Sequence, residues 1–181
     1  NWDNFSKIGF SQDRWAPYAG PGHWPDADML VVGLVGWGPK LHYTNLTPDE
    51  QYTHMTLWSI LASPLLIGCD LARIDDFTLS LLTNDEVIDV NQDPLGYHGA
   101  PLVNNDEEAV YIKPLEDGSM AIALFNKTLD PRQITIDLKK LGFYVDQHLR
   151  DLWRQKDVEM NGHKYTATVA PHGANMYRIY P

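Results

Sequence analysis

Residues 47–68, TPDEQYTHMTLWSILASPLLIG, decide the fold class of the first half of this chain. Thr47 is predicted to cap a helix, because the next residue is a proline, which suits the first helical position, and Glu50 completes a capping box. The helix is predicted to run to about Ala62, since Pro64 cannot continue it. Its apolar face is formed by residues that recur at a three-residue step: Tyr52, Met55, Trp58 and Leu61.

Two short apolar runs flank this helix. Residues 29–32, MLVV, precede it, and residues 65–68, LLIG, follow it directly. Neither run alternates with polar residues, which is typical of strands that are buried on both faces of a parallel sheet. Strand, helix and strand together predict a right-handed crossover unit. Further helices are predicted over about residues 2–10 and 76–82, so the first half is predicted to be an α/β fold.

The second half of the chain has a different pattern, with frequent turn residues and short alternating runs. The boundary is placed near Gly96–Gly99, which divides the chain into residues 1–97 and 98–181. Turn signals include Glu116-Asp117-Gly118 and the favoured hairpin pair Asn161-Gly162. The predicted strands cover residues 109–115, 120–125, 133–137, 147–153, 164–169 and 174–179. This pattern predicts a small antiparallel Greek-key β-sandwich.

Composition excludes several classes of protein. With 181 residues, 44% of them hydrophobic, the chain is long enough to bury a large core, and disorder is not expected. A formal net charge of -10 opposes binding to phosphate backbones and anionic lipids, so neither a nucleic acid nor a membrane is predicted as a partner. The most apolar stretch, residues 57–67, is about half as long as a membrane helix. The single cysteine, Cys69, excludes an intrachain disulfide and is predicted to be a packed thiol at a strand end.

The segment richest in candidate chemistry is residues 19–30, AGPGHWPDADML. Asp26 and Asp28 stand two residues apart beside Trp24, and two such acids can form a charged or hydrogen-bonding pair in a pocket. The plain alternative is an acidic turn ahead of a strand, because Asp-x-Asp is common in turns. The seven histidines lack the spacing of metal ligands, and the sequence contains no nucleophile elbow, P-loop or dinucleotide fingerprint. Neither a metal nor a cofactor is therefore predicted.

Several long stretches, in order along the chain, resemble glycoside hydrolase family 27, the α-galactosidases and α-N-acetylgalactosaminidases. The matching stretches are residues 15–24 (WAPYAGPGHW), 26–33 (DADMLVVG), 50–58 (EQYTHMTLW), 62–71 (ASPLLIGCDL), 90–96 (VNQDPLG) and 172–179 (HGANMYRI). The resemblance covers nearly the whole chain. It implies that residues 1–97 are the last strands and helices of a catalytic (β/α)8 TIM barrel, followed by the β-sandwich at residues 98–181.

The resemblance also implies an activity, the retaining hydrolysis of terminal α-linked galactose by two aspartates and without a cofactor. Both catalytic aspartates are expected upstream of Asn1, so no catalytic residue is expected in this chain. The first residue is not Met, which suggests that a segment has been removed before it. The chain is expected to be inactive alone and to need an N-terminal barrel chain, or self-association, to cover its strand edges. A secreted, periplasmic or lysosomal-type location is implied by the family.

The substrate-binding residues that the resemblance implies are Asp28, which accepts hydrogen bonds from sugar hydroxyls, and Met29, which packs against the sugar ring. Trp24 and Asp26 are further candidates beside them. The substrate itself is expected to be an α-galactoside.

Two features of this motif bear on its backbone. Pro25 and Ala27 replace the asparagine and the proline of the family pattern. Because barrel sites lie at the C-terminal ends of strands, the resemblance favours a seventh barrel strand at about residues 23–26 over a strand at residues 29–32.

A second class of function stays open. The chain has a surplus of aromatic residues, with six Trp and nine Tyr. Aromatic side chains of the sandwich could stack on sugars, which describes a non-catalytic carbohydrate-binding or assembly module. Glycan binding by residues 98–181 alone would distinguish this module from the hydrolase.

Overall fold

A helical layer packs against one face of a β-sandwich. The structure is a computed structural model, and it describes residues 1–144, 148–160 and 162–180. The helices are α1 (Trp2–Gly9), α2 (Pro48–Ile60), α3 (Asp76–Leu82) and α4 (Asp85–Asn91). Short strands β1 (Leu34–Val35) and β2 (His42–Tyr43) pair with each other ahead of α2. Short 3₁₀ helices cover Gln12–Tyr18, Gly38–Lys40, Leu71–Arg73 and Leu138–Leu141.

Two antiparallel sheets form the sandwich. Its strands are β3 (Ala100–Asn104), β4 (Glu108–Pro114), β5 (Met120–Asn126), β6 (Arg132–Asp137), β7 (His148–Asp151), β8 (Lys156–Val158), β9 (Lys164–Val169) and β10 (Ala174–Tyr180). The larger sheet has the order β3-β4-β5-β10-β7-β8, and β6 pairs with β9 in the other sheet. The antiparallel sheets predicted from the alternating pattern are confirmed.

The sandwich differs from the sequence prediction at three places. Strand β3 is not predicted, because its side chains are mostly exposed and give no alternating signal. The predicted strand 147–153 ends at Asp151, and β8 follows as a separate strand that pairs with β7; Gln147 lies outside the described residues. Asn161 also lies outside them, but β8 and β9 belong to different sheets, so the predicted hairpin at Asn161-Gly162 is wrong.

The predicted start of helix α2 is confirmed. The Glu50 N–H donates to Thr47 Oγ1 at 3.3 Å, and the Thr47 N–H donates to Glu50 Oε2 at 2.8 Å, which together make the capping box. The prediction of a single apolar face on α2 is wrong, since ten of the 13 residues of the helix are buried. The physical reason is that α2 lies between the other helices and strands β4, β5 and β10, so polar residues such as Thr53 and Thr56 are buried as well.

The prediction of regular strands at residues 29–32 and 65–68 is wrong. Residues 29–32 and 65–67 run parallel but share one bridge, between Leu30 and Ile67. The Leu30 N–H donates to the Leu66 carbonyl at 2.8 Å, and the Gly68 N–H donates to the Leu30 carbonyl at 3.0 Å. Residues 24–29 are not a strand, so the favoured seventh strand at residues 23–26 is wrong too.

Two physical features prevent a longer ladder here. Pro25 has no N–H to donate, and Asp28 has a φ of +76°, which turns the backbone away from strand geometry. The parallel direction of the crossover is confirmed by the Leu30–Ile67 bridge, although the ladder is not.

Strand β5 separates two hydrophobic cores. Ala121, Ala123 and Phe125 face the helices, and they pack in one cluster with residues of α1, α2 and α4. Ile122 and Leu124 face the other way, toward the sheet formed by β6 and β9. The alternation of side chains along one strand therefore joins the helical layer to the sandwich.

Candidate functional site

The segment at residues 24–30 presents two neighbouring side chains on one side. In a regular strand successive side chains point to opposite faces. Here Asp28 and Met29 are both exposed, whereas Ala27 before them and Leu30 after them are buried. The left-handed φ of +76° at Asp28 breaks the alternation, and this conformation is uncommon for a residue other than glycine.

Aspartate side chains stabilise this backbone from within the segment. Asp26 Oδ1 accepts a hydrogen bond from the Asp28 N–H at 2.8 Å, and Asp28 Oδ1 accepts one from the Met29 N–H at 2.7 Å. Asp-x-Asp therefore forms the turn that its spacing allows. Among the described residues, Oδ2 of Asp26 and of Asp28 accepts no hydrogen bond, and both side chains are exposed.

Buried side chains from elsewhere in the chain complete the support. Ser63 Oγ accepts a hydrogen bond from the Ala27 N–H at 3.1 Å and donates one to the Pro25 carbonyl at 3.2 Å. Trp58 Nε1 donates to the Asp28 carbonyl at 2.7 Å. Side chains thus satisfy backbone groups that a sheet ladder would otherwise satisfy.

Gly68 lets the neighbouring run approach this segment closely. A Cβ atom at this position would lie 3.0 Å from the Leu30 carbonyl oxygen and 3.2 Å from Met29 Cβ, which is tighter than most packed contacts, so residues 29–30 would have to move by a few tenths of an ångström. The absence of a side chain at Gly68 therefore fixes where Met29 can lie.

The four predicted site residues divide between two cavities. Asp28 and Met29 line a cavity of about 180 Å³ together with helix residues that include His54 and Trp58. Trp24 and Asp26 line a different cavity of about 480 Å³. The other residues of that second cavity are Gln12, Trp15, Tyr18, His23 and Pro25. The structure therefore places Asp28 and Met29 at one cavity, and Trp24 and Asp26 do not line that cavity.

His54 and Trp58 are residues of the site that were not predicted from the sequence. They stand four apart on α2, so both project from one side of the helix, and their rings lie edge to face with centroids 4.2 Å apart. Burial lowers the pKa of His54 to about 3. Among the residues that the structure describes, neither ring nitrogen of His54 has a hydrogen-bond partner. The i, i+4 spacing of His54 and Trp58 indicates that they share one side of the helix. Because residues all round α2 are buried, this spacing does not distinguish the pair from other buried pairs on the helix.

A salt bridge between Asp70 and Arg73 lies beside another cavity that Met29 lines. Met29 also lines a third cavity, of about 610 Å³, with Cys69, Asp70 and Arg73. Hydrogen bonding to Arg73 lowers the pKa of Asp70, and burial raises the pKa of the Cys69 thiol. A raised pKa disfavours the thiolate, which agrees with a packed thiol and not with a nucleophile. Within the described ranges, His, Cys, Asp and Glu do not cluster in threes as a metal ion would require.

The arrangement at Asp28 is suited to binding a polar, neutral ligand. An exposed carboxylate oxygen accepts hydrogen bonds from hydroxyls, and the neighbouring thioether of Met29 offers an apolar contact. Both aspartates of the segment bond to its own N–H groups, so their geometry holds the backbone of the segment.

Two family models match the chain. The model described as alpha galactosidase A matches residues 2–93, and the model of the alpha galactosidase C-terminal beta sandwich domain matches residues 105–179.

Curated proteins and solved structures give the same result. "Alpha-galactosidase 2" of Arabidopsis thaliana is 36% identical over 181 residues, which is 99% of this chain and 43% of that protein. An alpha-N-acetylgalactosaminidase of Gallus gallus is 33% identical and covers 100% of this chain and 45% of its own length. The crystal structure of a GH27 β-L-arabinopyranosidase from Geobacillus stearothermophilus, in complex with arabinose, superposes with a TM-score of 0.92 at 34% identity, over 100% of this chain and 43% of that one.

This chain thus spans less than half of each of these relatives. Because one family model already matches residues 2–93 of the 181, and the other matches most of the remainder, the chain belongs to glycoside hydrolase family 27, the family of the α-galactosidases and α-N-acetylgalactosaminidases.

Proposed function

We propose that this chain supplies part of the substrate pocket of a retaining hydrolase that releases terminal α-linked galactose. Asp28 accepts hydrogen bonds from sugar hydroxyls, and Met29 packs against the C–H face of the ring. The observation that carries the proposal is the left-handed backbone at Asp28, which exposes these two side chains together beside one cavity. A few polar groups next to an apolar contact are typical of small-ligand sites.

The division of the chain is part of the proposal. Residues 1–97 form the C-terminal part of the (β/α)8 barrel, and residues 98–181 form the sandwich domain. The two family matches support this boundary, because they end at residue 93 and begin at residue 105.

The nucleophile and the acid/base of the reaction lie outside these 181 residues, so the chain is inactive alone. A retaining mechanism needs two carboxyl groups that face each other across the scissile bond. Asp26 and Asp28 do not support that role, because each uses an oxygen to hold its own segment and they line different cavities.

The partner that we propose is an N-terminal barrel chain. Several large apolar side chains of the first half, apart from Met29, are exposed by 38 to 48%: Ile8, Val31, Leu66 and Ile67. Most of them lie on or beside the two parallel runs, where a barrel would bury them. A second copy of this chain is the other possible cover, and light scattering distinguishes the two because only the second predicts a dimer without an added chain.

The hydrolytic part of the proposal is tested with 4-nitrophenyl α-D-galactopyranoside. The purified 181-residue chain is expected to release nitrophenol no faster than buffer. Addition of the N-terminal barrel chain is expected to restore turnover. Turnover by the chain alone at ordinary glycosidase rates would mean that residues treated as structural form an acid pair.

The binding part is tested by titrating the ¹⁵N-labelled chain with D-galactose. The amide signals of Asp28 and Met29 are expected to shift, and Asp28→Ala is expected to abolish the response. Asp76→Ala is the matched control, because it removes an exposed carboxylate in the first turn of α3. An unchanged response in Asp28→Ala would remove Asp28 from the site.

L-Arabinose is a second ligand for the same titration. Its pyranose ring matches that of galactose without the hydroxymethyl group, and one relative of similar fold is a β-L-arabinopyranosidase. A response to arabinose alone would change the proposed substrate class to β-L-arabinopyranosides.

The non-catalytic carbohydrate module has less support. The large aromatic side chains Tyr111, Phe125 and Tyr177 of the sandwich are buried in its cores, where they cannot stack on a glycan. A secreted, periplasmic or lysosomal-type location is also proposed from family membership. In the part of the chain that the structure describes, helices are too short or too polar to cross a membrane.

A further inference from the structure

The backbone carbonyl of Asp28 points toward the helical layer, not toward a neighbouring strand. The carbonyl oxygen accepts a hydrogen bond from the indole N–H of Trp58, whose Nε1 lies 2.7 Å away. A left-handed φ of +76° is unfavourable for aspartate, so it persists only where other contacts hold it. The hydrogen bond from Trp58 is a contact of this kind, because a φ in the ordinary strand region would rotate the peptide group away from the indole.

The indole itself is fixed by its neighbours. Trp58 is 2% exposed. The Phe5 ring stacks against it with centroids 5.6 Å apart and planes 26° apart, and the His54 ring meets it edge to face at 4.2 Å. The donor therefore has a defined position before any ligand is present, which is what a rigid support for a site requires.

A second buried group holds the same turn one residue earlier. Ser63 Oγ bonds to both the Ala27 N–H and the Pro25 carbonyl, and Ser63 is 2% exposed. Asn91 on α4 donates from Nδ2 to the Ser63 carbonyl at 2.8 Å and to the Trp58 carbonyl at 3.3 Å. Trp58 and Ser63 are thus linked to each other through one buried amide.

We infer that Trp58 is the positioning residue of the sugar site, and that its indole N–H holds Asp28 in the left-handed conformation that presents Asp28 and Met29 together. The inference rests on the proposed function, since it assigns to Trp58 the control of a sugar-binding pair. Trp58 lines the same cavity, and the role assigned to it here is exerted through the backbone of Asp28, whose carbonyl accepts from its indole N–H. Ser63 supports the same conformation from the preceding residues.

The test compares Trp58→Phe with Trp153→Phe in the 181-residue chain. Both changes keep an aromatic ring and remove one indole N–H. Trp153 Nε1 donates to Thr56 Oγ1 at 2.8 Å, away from the site, so it is a matched control for the loss of a hydrogen bond. Two properties are measured in each variant: the affinity for D-galactose and the backbone conformation of Asp28. A residue with positive φ gives a strong nuclear Overhauser effect between its own amide and Hα protons.

Trp58→Phe is expected to lose the strong Asp28 signal and to bind D-galactose about five- to tenfold more weakly, as the loss of one buried hydrogen bond predicts. Trp153→Phe is expected to change neither property, although both variants lower the melting temperature. An unchanged Asp28 signal with unchanged affinity in Trp58→Phe would overturn the inference.

Two further outcomes, failure of Trp58→Phe to fold and absence of galactose binding, have their own tests. If Trp58→Phe does not fold, Ser63→Ala takes its place and is expected to weaken both the Asp28 signal and galactose binding. Ser63→Thr keeps the hydroxyl, so it is expected to retain the signal and the binding of the unmodified chain. Equal behaviour of the two serine variants would then contradict the positioning role. If the unmodified chain does not bind galactose at all, the proposed function fails, and the Asp28 signal alone still decides whether Trp58 holds the backbone.

Discussion

Strand β5 and the segment at residues 24–30 both run beside the helical layer, yet they satisfy their backbones in different ways. β5 pairs with β4 on one edge and with β10 on the other, over nearly its whole length. The segment at residues 24–30 has one parallel bridge, at Leu30. Its remaining backbone bonds go to the side chains of Asp26, Ser63 and Trp58, and to that of Asp28 itself.

This difference shows where sequence changes act on backbone shape. A residue of β5 can be replaced without loss of its main-chain ladder, so the cost of the change comes from packing. In the segment at residues 24–30 the ladder is replaced by side-chain hydrogen bonds, so a substitution can change the backbone conformation itself. Binding sites benefit from the second arrangement because it allows a turn that a ladder forbids.

The largest expected effect is the loss of packing under the sheet. Phe125 on β5 is fully buried, with Phe10 edge to face at 5.3 Å and Tyr111 at 5.9 Å. Phe125→Ala is expected to lower the free energy of unfolding by about 3 to 5 kcal/mol. Leu66→Ala is the control in the first half; Leu66 is 48% exposed, so its loss is expected to cost less than about 1 kcal/mol. Urea unfolding measures both, and equal losses would contradict the contrast between the two regions.

Lys113 gives the paired region a distinctive dependence on alkaline pH. It is fully buried on β4 and donates from Nζ to the Val90 carbonyl of α4. Burial lowers its pKa to about 8, from 10.5 for a free lysine, while Asp93 partly opposes the shift. Between those two values the unfolded chain keeps a proton that the folded chain has released, so this group makes folding more stable as pH rises.

The gain expected from Lys113 is about 2 to 3 kcal/mol over that window. Unfolding is followed from pH 7.5 to 9.5, below the pKa of 10 at which tyrosines of the unfolded chain ionise and at which the raised pKa values of Tyr111 and Tyr177 begin to oppose the rise. Lys113→Met is expected to reduce the rise to the part that Lys127 contributes, because burial lowers the pKa of Lys127 as well. The exposed Lys164→Met is expected to keep the full rise. A rise of the same size in Lys113→Met would assign the effect to other groups.

His54 gives the first half the corresponding dependence on acid. Its pKa of about 3 lies below the 6.5 of a free histidine because the ring is buried. Between pH 6.5 and 3 the unfolded chain takes up a proton that the folded chain excludes, so the contribution of His54 is full above pH 6.5 and declines as pH falls. At pH 5 the free energy of unfolding is expected to be about 2 kcal/mol lower than at pH 7 on account of this group.

The measurement compares the unmodified chain with His54→Gln at pH 7 and pH 5. His54→Gln is expected to show a smaller loss on acidification, whereas the exposed His42→Gln is expected to behave like the unmodified chain. Identical losses in all three proteins would mean that His54 accepts a proton in the folded state without penalty.

Local chemistry explains which parts of the fold the sequence predicts. The start of α2 is predictable because the capping box needs only Thr47 and Glu50, three residues apart. Strands β6 and β9 of the sandwich are predictable because their two faces meet different surroundings, so that buried and exposed residues alternate along them. The run at residues 65–68 is not, since an unbroken apolar run looks the same in a full ladder and in an extended segment with one bridge.

The site is predictable only in part for a similar reason. Asp28 and Met29 follow from the family motif. Trp58, Ser63 and Asn91 do not, because they lie 30 residues or more from Asp28 along the chain and meet it only after α2 and α4 have packed. The φ of Asp28 is encoded only partly by local residues: the side chains of Asp26 and Asp28 bond to N–H groups of the segment, but the indole of Trp58 that also holds it is distant in the sequence.

The smallest expected effect measures how α2, which supports the segment at residues 24–30, is coupled to the sandwich that contains β5. His172 lies in the turn before β10 and has a φ of +51°. Its Nδ1 is 2.8 Å from Glu50 Oε1, and its ring stacks on Trp2 with centroids 3.9 Å apart. A double-mutant cycle with Glu50→Gln and His172→Asn isolates this pair, because glutamine preserves the capping box and asparagine tolerates the left-handed backbone.

A coupling energy of about 1 kcal/mol is expected from the cycle, as for one hydrogen bond in a half-buried setting. A coupling near zero would mean that this pair does not help to join α2 to the sandwich, and would leave that to apolar packing and to other hydrogen bonds such as Trp153–Thr56. A coupling of the expected size means that the helix whose N-terminus Glu50 caps is also held by the sandwich. Because Trp58 lies two turns further along that helix, the sandwich then helps to set the position of the indole that supports Asp28.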